Sequence, residues 1–395
     1  MKIIDDELED RVVAHIDARL DVMTDALREL VALPTGPSER AGQRACLDLL
    51  AKRWRRLGFR TETLESPAGL GHLLAHCEST TPDAPRVLLL GHFDTVFDEA
   101  SGFVGMARAG DWLTGPGVAD MKGGLVVAHA VVEGLRAAGR MGDFEWIVLF
   151  TADEEIGSPT SRAIVERTAS GCDLVLVFEP GREGCAVVDA RAGVGAYGFA
   201  VHGVAGHAGV DPAAGRNAIH AAADLITALS AVAAPDLGTL VAVGTISGGT
   251  KRNVVPELCR FEVDVRVLQP SEVSRVDVEL RALAARIATA HDLRIEVSGR
   301  MHRPPWQRDP RNGLVGHFKA VAKDLGLPLV AVQTGGGSDA NFTAALGIPT
   351  LDGLGPVGEG THSPLERIDR GSLAERAKLV ALALLRYKHT PSARA

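Results

Sequence analysis

Histidines and carboxylates occur in short motifs that lie far apart in the chain. The motifs are His92-Phe93-Asp94, the glycine-flanked Asp120, Asp153-Glu154-Glu155, Glu179-Pro180 and His362. Imidazole nitrogens and carboxylate oxygens, without a thiolate, are donors that suit zinc, cobalt or manganese at a catalytic site. A carboxylate shared by two His/carboxylate pairs would hold two metal ions about 3.5–4 Å apart. The residue types therefore indicate a catalytic metal site.

Each motif also has a plainer structural explanation when it is taken alone. A His-x-Asp triplet at the end of a strand is often an ordinary hydrogen-bonded turn. Asp120 could cap the helix that follows it, and adjacent acids such as Asp153, Glu154 and Glu155 are favourable at a solvated helix start. The functional interpretation depends on the motifs converging at one place.

The predicted secondary structure brings the motifs to one edge of a sheet. Apolar runs at 86–90, 145–150 and 174–178 predict buried strands, and one of the motifs begins within three residues after each run. Residues 122–138 have the apolar spacing of a helix. Strands that alternate with helices predict an α/β sheet, and such sheets bind their ligands beyond the carboxyl ends of the strands.

The pattern of elements also predicts the domain organisation. From about residue 193 the predicted order becomes β-α-β-β-α-β, which is ferredoxin-like, and the α/β alternation resumes after Pro304-Pro305. We therefore expect one α/β domain, residues 1–191 and 304–395, interrupted by an inserted α+β domain, residues 192–303. At the start of the chain, residues 5–33 predict one helix that ends before Pro34, and Ser38 is the expected cap of a second helix reaching residue 57.

Composition excludes several classes of protein. Lys plus Arg is 42 and Asp plus Glu is 50, a net charge of −8, whereas a nucleic-acid or anionic-membrane binder needs a basic face. No apolar run approaches the roughly 18 residues that span a bilayer. The five cysteines are scattered without a Cys-x-x-Cys pair, so we expect neither a disulfide framework nor a thiolate zinc site. The acidic first ten residues are unlike a signal peptide, and the expected location is cytoplasmic.

In their order along the chain, the motifs resemble those of the M20 family of zinc peptidases and deacylases, most of all its glutamate carboxypeptidase (carboxypeptidase G) branch. The resemblance implies a zinc-exopeptidase-like, three-layer α/β catalytic domain with an inserted ferredoxin-like α+β lid and dimerisation domain. It also implies two Zn²⁺ per subunit, with Co²⁺ or Mn²⁺ as substitutes. Asp120 would bridge the ions, with His92 and Glu179 completing one and Glu155 and His362 the other.

The resemblance implies roles for further residues. Asp94 would orient His92, Glu154 would be the general base, and Asp120–Met121 would be a cis peptide. His207 of the inserted domain would polarise the scissile carbonyl in the active site of a neighbouring subunit, so a homodimer is expected. The expected substrate contacts are Asn253, Arg266 and the glycine-rich loop around Gly336. Arg266 offers a planar fork that would select a free carboxylate.

More than one function is compatible with these residues. The leading interpretation is removal of a C-terminal amino acid, glutamate among the candidates, from a small peptide or N-acyl conjugate. The alternative is an N-acyl-amino-acid deacylase of the acetylornithine deacetylase or succinyl-diaminopimelate desuccinylase type. A dipeptidase or tripeptidase would need a group that holds the substrate's free ammonium, and none is identified. A catalytically silent binding protein would not need a base such as Glu154 beside its metals.

Overall fold

The computed structural model describes residues 2–69 and 71–388. The chain divides into two compact units. Unit 1 comprises Met1–Asp189, Arg308–Gln333 and Ser338–Ala395, and unit 2 comprises Ala190–Gln307 and Thr334–Gly337. Unit 2 starts and ends slightly outside the predicted inserted domain, and it includes residues 334–337, which the sequence pattern places in the α/β domain. Hydrogen bonds between residues distant in sequence account for this difference, because the Ala192 N–H donates to Thr334 O at 2.9 Å.

The secondary structure is as follows. The helices are α1 (Lys2–Asp17), α2 (Leu20–Val31), α3 (Arg40–Arg56), α4 (Lys122–Ala137), α5 (Arg162–Ala169), α6 (Ala218–Leu229), α7 (Pro270–Ala290), α8 (Leu314–Asp324), α9 (Ala340–Ala345) and α10 (Arg370–Leu385). The strands are β1 (Arg60–Glu65), β2 (Gly71–Cys77), β3 (Arg86–His92), β4 (Ala107–Ala109), β5 (Trp112–Thr114), β6 (Glu145–Thr151), β7 (Leu174–Val177), β8 (Val187–Arg191), β9 (Gly193–His202), β10 (Leu240–Gly248), β11 (Leu258–Val267), β12 (Arg294–Arg303), β13 (Ala331–Thr334), β14 (Thr350–Leu351), β15 (Gly358–Glu359) and β16 (Arg367–Asp369). Across residues 2–69 and 71–388, no helix combines the length and the hydropathy of a bilayer-spanning segment.

The main sheet of unit 1 has the strand order β1-β2-β6-β3-β7-β14. β6, β3, β7 and β14 are parallel, and β1 and β2 extend the sheet antiparallel. In β3, residues 87–90 are all fully buried, as expected for a parallel strand that is covered on both faces. The predicted α/β class is therefore confirmed. β1 was not predicted because most of its residues are polar.

Two details at the start of unit 1 differ from the sequence-based expectation. The helical pattern of residues 5–33 forms two helices, α1 and α2, because the backbone at Arg19 leaves the helical region (φ −111°, ψ 8°). Ser38 does not cap α3, whose N-cap is Glu39. Instead, the Ser38 N–H donates to Asp98 Oδ1 at 3.1 Å.

A smaller sheet of unit 1, in the order β15-β16-β5-β4, holds the last histidine motif in place. β15 and β16 form an antiparallel hairpin, and its loop carries His362. β16 pairs with β5, with Arg367 opposite Thr114. This pairing places the end of the His362 loop beside the segment that runs from β5 to Asp120.

Unit 2 has an antiparallel sheet in the order β10-β11-β9-β12, with α6 and α7 packed on one face. Alternate residues of β11, among them Phe261, Val263 and Val265, are buried in that core. The intervening Arg260, Glu262 and Asp264 are exposed, because successive side chains of a strand point to opposite faces. The predicted β-α-β-β-α-β, ferredoxin-like order is confirmed.

Candidate active site of unit 1

The carboxyl ends of three neighbouring parallel strands carry three of the motifs. His92 is the last residue of β3, Asp153-Glu154-Glu155 follows β6, and Glu179 follows β7. Because β3 lies between β6 and β7, these residues lie at the same edge of the sheet. Asp120 precedes α4, and His362 comes from the β15–β16 loop.

Asp120 lies between the two histidines. Its Oδ1 is 3.1 Å from His92 Nε2, and its Oδ2 is 3.4 Å from His362 Nε2. His92 Nε2 also lies 3.7 Å from Glu179 Oε1, while His362 Nε2 lies 3.1 Å from Glu155 Oε2. The five side chains thus form two His/carboxylate pairs that share Asp120. Within this cluster, ligand atoms of His92, Asp120 and Glu155 lie within 4.8 Å of one another, a group that could hold a metal ion.

The electrostatics of the cluster fit a bound cation. Burial and the charge of Asp120 raise the pKa of Glu155, and they raise the pKa of Glu179 well above its usual range. Burial would raise the pKa of Asp120 as well, but hydrogen bonds from His362 and His92 outweigh it and lower that pKa. Three carboxylates face two histidines, so positive charge would relieve their mutual repulsion.

The protonation of His362 bears on its predicted role as a metal ligand. Hydrogen bonds to Asp120 and Glu155 raise the pKa of His362 to about 10, so its imidazole is protonated in the metal-free protein at neutral pH. An imidazole must be neutral to bind a metal. If His362 is a metal ligand, as predicted, binding of a divalent ion such as Zn²⁺ at pH 7 should release its proton, and the affinity for the ion should rise with pH.

Calorimetric titration of metal-free protein in buffers of different ionisation enthalpy would measure this proton release. The His362→Ala variant is the control, because it should release fewer protons. Zinc binding with no net proton release at pH 7 would contradict the expectation.

Asp94 connects two of the motifs. His92 Nδ1 lies 3.1 Å from the backbone oxygen of Asp94 and 3.4 Å from its Oδ1. The Asp94 carboxylate also accepts the backbone N–H groups of Glu154 and Glu155, at 3.2 and 3.0 Å. Asp94 therefore holds the loop of the predicted base in addition to contacting His92. The sequence did not reveal this second contact.

The three adjacent acids after β6 have different environments. Asp153 is fully buried, and its Oδ2 accepts hydrogen bonds from the Thr160 N–H and hydroxyl and from the Ser161 N–H. α5 begins only at Arg162, so the explanation of these acids as a solvated helix start is wrong. Glu154 is half-buried and close enough to Glu179 for its charge to contribute to the raised pKa of that residue.

The loop around Asp120 is closely packed. The predicted cis peptide between Asp120 and Met121 is present. The N-cap of α4 is Met121 and makes no side-chain cap bond, so Asp120 does not cap this helix. Gly124 lets α4 start against the end of β7, since a Cβ on it would lie 1.9 Å from Phe178 O.

Glu366 is a further buried carboxylate of this site that the sequence did not single out. It is 1% exposed and accepts backbone N–H groups from the Asp120 loop. Burial raises its pKa to about 7 although these N–H groups act in the opposite direction. The only hint in the sequence was that Glu366 follows His362 by four residues, and the sequence does not show which backbone groups the Glu366 carboxylate contacts.

The predicted substrate contacts all lie in unit 2, whereas the predicted metal ligands all lie in unit 1. His207 is exposed, and its segment pairs with the segment of Asn253: the Ala208 N–H donates to Asn253 O at 3.1 Å. His207 Nδ1 accepts the N–H groups of Gly209 and Val210, at 3.1 and 3.2 Å. Because Nδ1 accepts these bonds, it carries no proton in the neutral ring. The proton of a neutral His207 is therefore on Nε2, which can donate a hydrogen bond.

Arg266 and Gly336, two of the predicted substrate contacts, already make hydrogen bonds to other residues of unit 2. The Arg266 Nε and Nη2 donate to the two carboxylate oxygens of Asp264, at 2.8 and 2.9 Å, because residues two apart on β11 share a face. Only the other edge of the guanidinium, where Nη1 donates to Gly335 O at 3.3 Å, faces the glycine-rich loop. The Gly336 N–H already donates to Thr334 Oγ1 at 3.3 Å.

An α/β sheet with a His/carboxylate cluster at its carboxyl edge, together with a ferredoxin-like second unit, defines a class of metallopeptidase-type hydrolases. The chain belongs to peptidase family M20/M25/M40, whose family model matches residues 88–386. It is 31% identical to carboxypeptidase G2 of Pseudomonas sp. strain RS-16 over 91% of this chain and 88% of that protein. It is 30% identical to succinyl-diaminopimelate desuccinylase of Xanthomonas oryzae pv. oryzae over 86% of this chain and 92% of that protein.

Solved structures share the fold. The aminopeptidase PepT of Bacillus cereus is 22% identical, with a TM-score of 0.78 over 93% of this chain and 98% of that one. A metallo-carboxypeptidase of Sulfolobus solfataricus is 16% identical, with a TM-score of 0.77 over 92% of this chain and 98% of that one. The predicted family and fold class are confirmed, and the chain is an enzyme of the hydrolase class.

Proposed function

We propose that this chain is a di-zinc metallohydrolase that removes a C-terminal amino acid, glutamate among the candidates, from a peptide or N-acyl conjugate. The observation that carries the proposal is the position of Asp120, whose two carboxylate oxygens each approach a different histidine. The similarity to carboxypeptidase G2 supports removal of a C-terminal residue, and glutamate is the candidate that the family resemblance implies.

The donors around Asp120 are the proposed metal ligands. His92 and Glu179 would hold one ion and Glu155 and His362 the other, with Asp120 between them. Oxygen and imidazole donors suit Zn²⁺, with Co²⁺ or Mn²⁺ as substitutes. When bound, the two ions would supply Lewis-acid activation of water and of the scissile carbonyl.

Glu154 is the proposed general base. It would take a proton from the attacking water and deliver it to the leaving nitrogen. The Asp94 carboxylate holds the backbone at two adjacent residues, because it accepts the N–H groups of Glu154 and of the proposed ligand Glu155. The base is thereby held next to the ligand without having to be a ligand itself.

Residues of unit 2 would bind and polarise the substrate. His207 presents an Nε2–H donor, as its Nδ1 bonds require, and this donor would stabilise the developing oxyanion. Arg266 would contact the free carboxylate of the substrate through the guanidinium edge that does not face Asp264, where Nη1 also donates to Gly335 O. Asn253 and the Gly336 loop are the other proposed contacts.

The proposal includes a homodimer in the cytoplasm. β10 is an edge strand of the unit 2 sheet, and Leu240, Val243 and Ile246 on it are exposed. An exposed apolar edge strand is a surface that a second copy of the chain can cover. Unpaired thiols such as those of Cys46 and Cys259 suit a reducing compartment.

A deacylase of the succinyl-diaminopimelate desuccinylase type is the second candidate. It is supported by the 30% identity to such an enzyme over most of both chains. The same base and metal ligands would serve it, and only the acyl side of the substrate would differ.

Hydrolysis of matched amides by the zinc-loaded protein tests the proposal. The panel contains a dipeptide and an N-aroyl conjugate with C-terminal glutamate, the same conjugate as its α-carboxamide, and N-succinyl and N-acetyl amino acids. We expect the free C-terminal carboxylate to raise kcat/KM about tenfold or more over the α-carboxamide, because one charged hydrogen bond is lost without it. A preference for N-succinyl substrates would favour the second candidate, and no chelator-sensitive hydrolysis of any compound would contradict both.

A further inference from the structure

The Glu366 carboxylate makes three hydrogen bonds with backbone N–H groups of one loop. Its Oε1 accepts the N–H groups of Ala119 and Asp120, at 2.8 and 2.9 Å, and its Oε2 accepts the N–H of Gly117 at 3.1 Å. The Glu366 backbone oxygen also accepts the Gly115 N–H at 3.3 Å. One residue therefore holds most of the segment between β5 and the proposed bridging ligand.

These bonds act on the proposed bridging ligand through its own backbone. The bond to the Asp120 N–H is made at the residue whose side chain faces both histidines. Gly117, at the other end of the bonded segment, has φ +74°, a conformation that L side chains rarely adopt. Glu366 thus supplies three hydrogen bonds to this loop from a distant part of the chain.

The same hairpin loop supplies a proposed ligand. His362 and Glu366 both lie between β15 and β16, and His362 Nε2 reaches the second oxygen of Asp120 at 3.4 Å. The hairpin thus contacts Asp120 twice, at its side chain through His362 and at its backbone through Glu366.

We propose that Glu366 is a positioning residue for the metal centre, which sets the orientation of the Asp120 carboxylate and its distance from His362. This inference rests on the proposed function, since it assigns the residue that preorganises the proposed bridging ligand. Groups that orient metal ligands in this way typically change metal affinity or activity by about 10–100-fold when they are altered.

The Glu366→Gln variant tests the proposal, with Glu359→Gln as its matched control. Glutamine keeps the length of the side chain, but its amide nitrogen cannot accept a backbone N–H, so at least one of the three bonds is lost. Glu359 lies on the same hairpin, at an exposed position where it pairs with Arg367. We expect Glu366→Gln to lower zinc affinity, measured by competition with a chromogenic chelator, by about 10–100-fold.

Two further measurements separate positioning from a merely structural role. The kcat of Glu366→Gln should fall while KM stays within about twofold, and the visible spectrum of its Co²⁺ form should differ from that of wild type. Glu359→Gln should match wild type in zinc affinity, kcat and spectrum. A Glu366→Gln variant that matches Glu359→Gln in all three would overturn the proposal.

Hydrogen exchange in the metal-free wild-type protein keeps the proposal testable if the variant does not fold. The amides of Gly117, Ala119 and Asp120 should exchange much more slowly than those of an exposed loop. Exchange at the rate of a solvated loop would overturn the proposal. A wild-type protein that binds no zinc would contradict the proposed function instead, and the exchange result would still report on the Glu366 bonds.

Discussion

The Glu154→Gln variant should retain its zinc and lose turnover by about 10²–10⁴-fold, the usual contribution of a general acid–base group. Glutamine has the shape of glutamate but cannot take a proton from water. Asp94 accepts the backbone N–H of residue 154, a bond that does not depend on the side chain there, so the loop should keep its conformation. Glu154→Ala should show the same loss of kcat.

Metal content separates loss of the base from loss of the site. Elemental analysis should find the same zinc-to-protein ratio in Glu154→Gln and wild type, whereas Glu155→Gln, at the neighbouring proposed ligand, should lose zinc as well as activity. Glu359→Gln serves as the control for removal of an exposed carboxylate. Wild-type kcat in Glu154→Gln would show that another group is the base.

Sequence was sufficient to place His92, the acids after β6 and Glu179 at one edge of the sheet, because the strands that precede them are strongly apolar. β3, β6 and β7 are buried runs that end at His92, Thr151 and Val177, and the carboxyl ends of parallel strands meet at one edge. Asp120 and His362 lie on loops, and their place in the cluster was implied only by the family resemblance. Their positions depend on β16 pairing with β5, a contact between short strands far apart in the sequence.

Contacts from a side chain to a distant backbone could not be predicted. Asp94 accepts the N–H groups of Glu154 and Glu155, and Glu366 accepts that of Asp120, yet no spacing or periodicity links such partners. The open guanidinium fork expected of Arg266 is half occupied for a local reason, because Asp264 lies two residues away on the same face of β11. The sequence could have predicted this ion pair, because side chains alternate between the two faces of a strand and residues two apart lie on the same face.

The His207→Ala variant should lower kcat by about 10²–10³-fold, the effect of removing one oxyanion donor. Zinc content should stay at the wild-type level, because His207 is not a proposed ligand. Replacing His207 with Gln, which keeps an N–H donor on a different framework, should restore part of the loss. A His207→Ala variant that loses zinc would contradict the proposed role.

Hybrid dimers decide which subunit His207 serves. One subunit carries Glu154→Gln and the other His207→Ala, and two different tags isolate the hybrid. If His207 acts on the partner's site, one of the two sites in this hybrid has both residues intact. The hybrid should then have about half of the wild-type kcat per dimer, although each variant alone forms an inactive dimer. If His207 acts within its own chain, both sites of this hybrid are defective.

A second hybrid should show the opposite pattern, because it pairs a wild-type subunit with one that carries both substitutions. Action across the interface leaves each of its sites with one defect, so it should be nearly inactive, whereas action within the chain leaves one site complete. Activity in the second hybrid and none in the first would place His207 in its own subunit's site. Failure to isolate any hybrid, with a monomer observed in solution, would contradict the dimer itself, and His207 would then have to act within one chain.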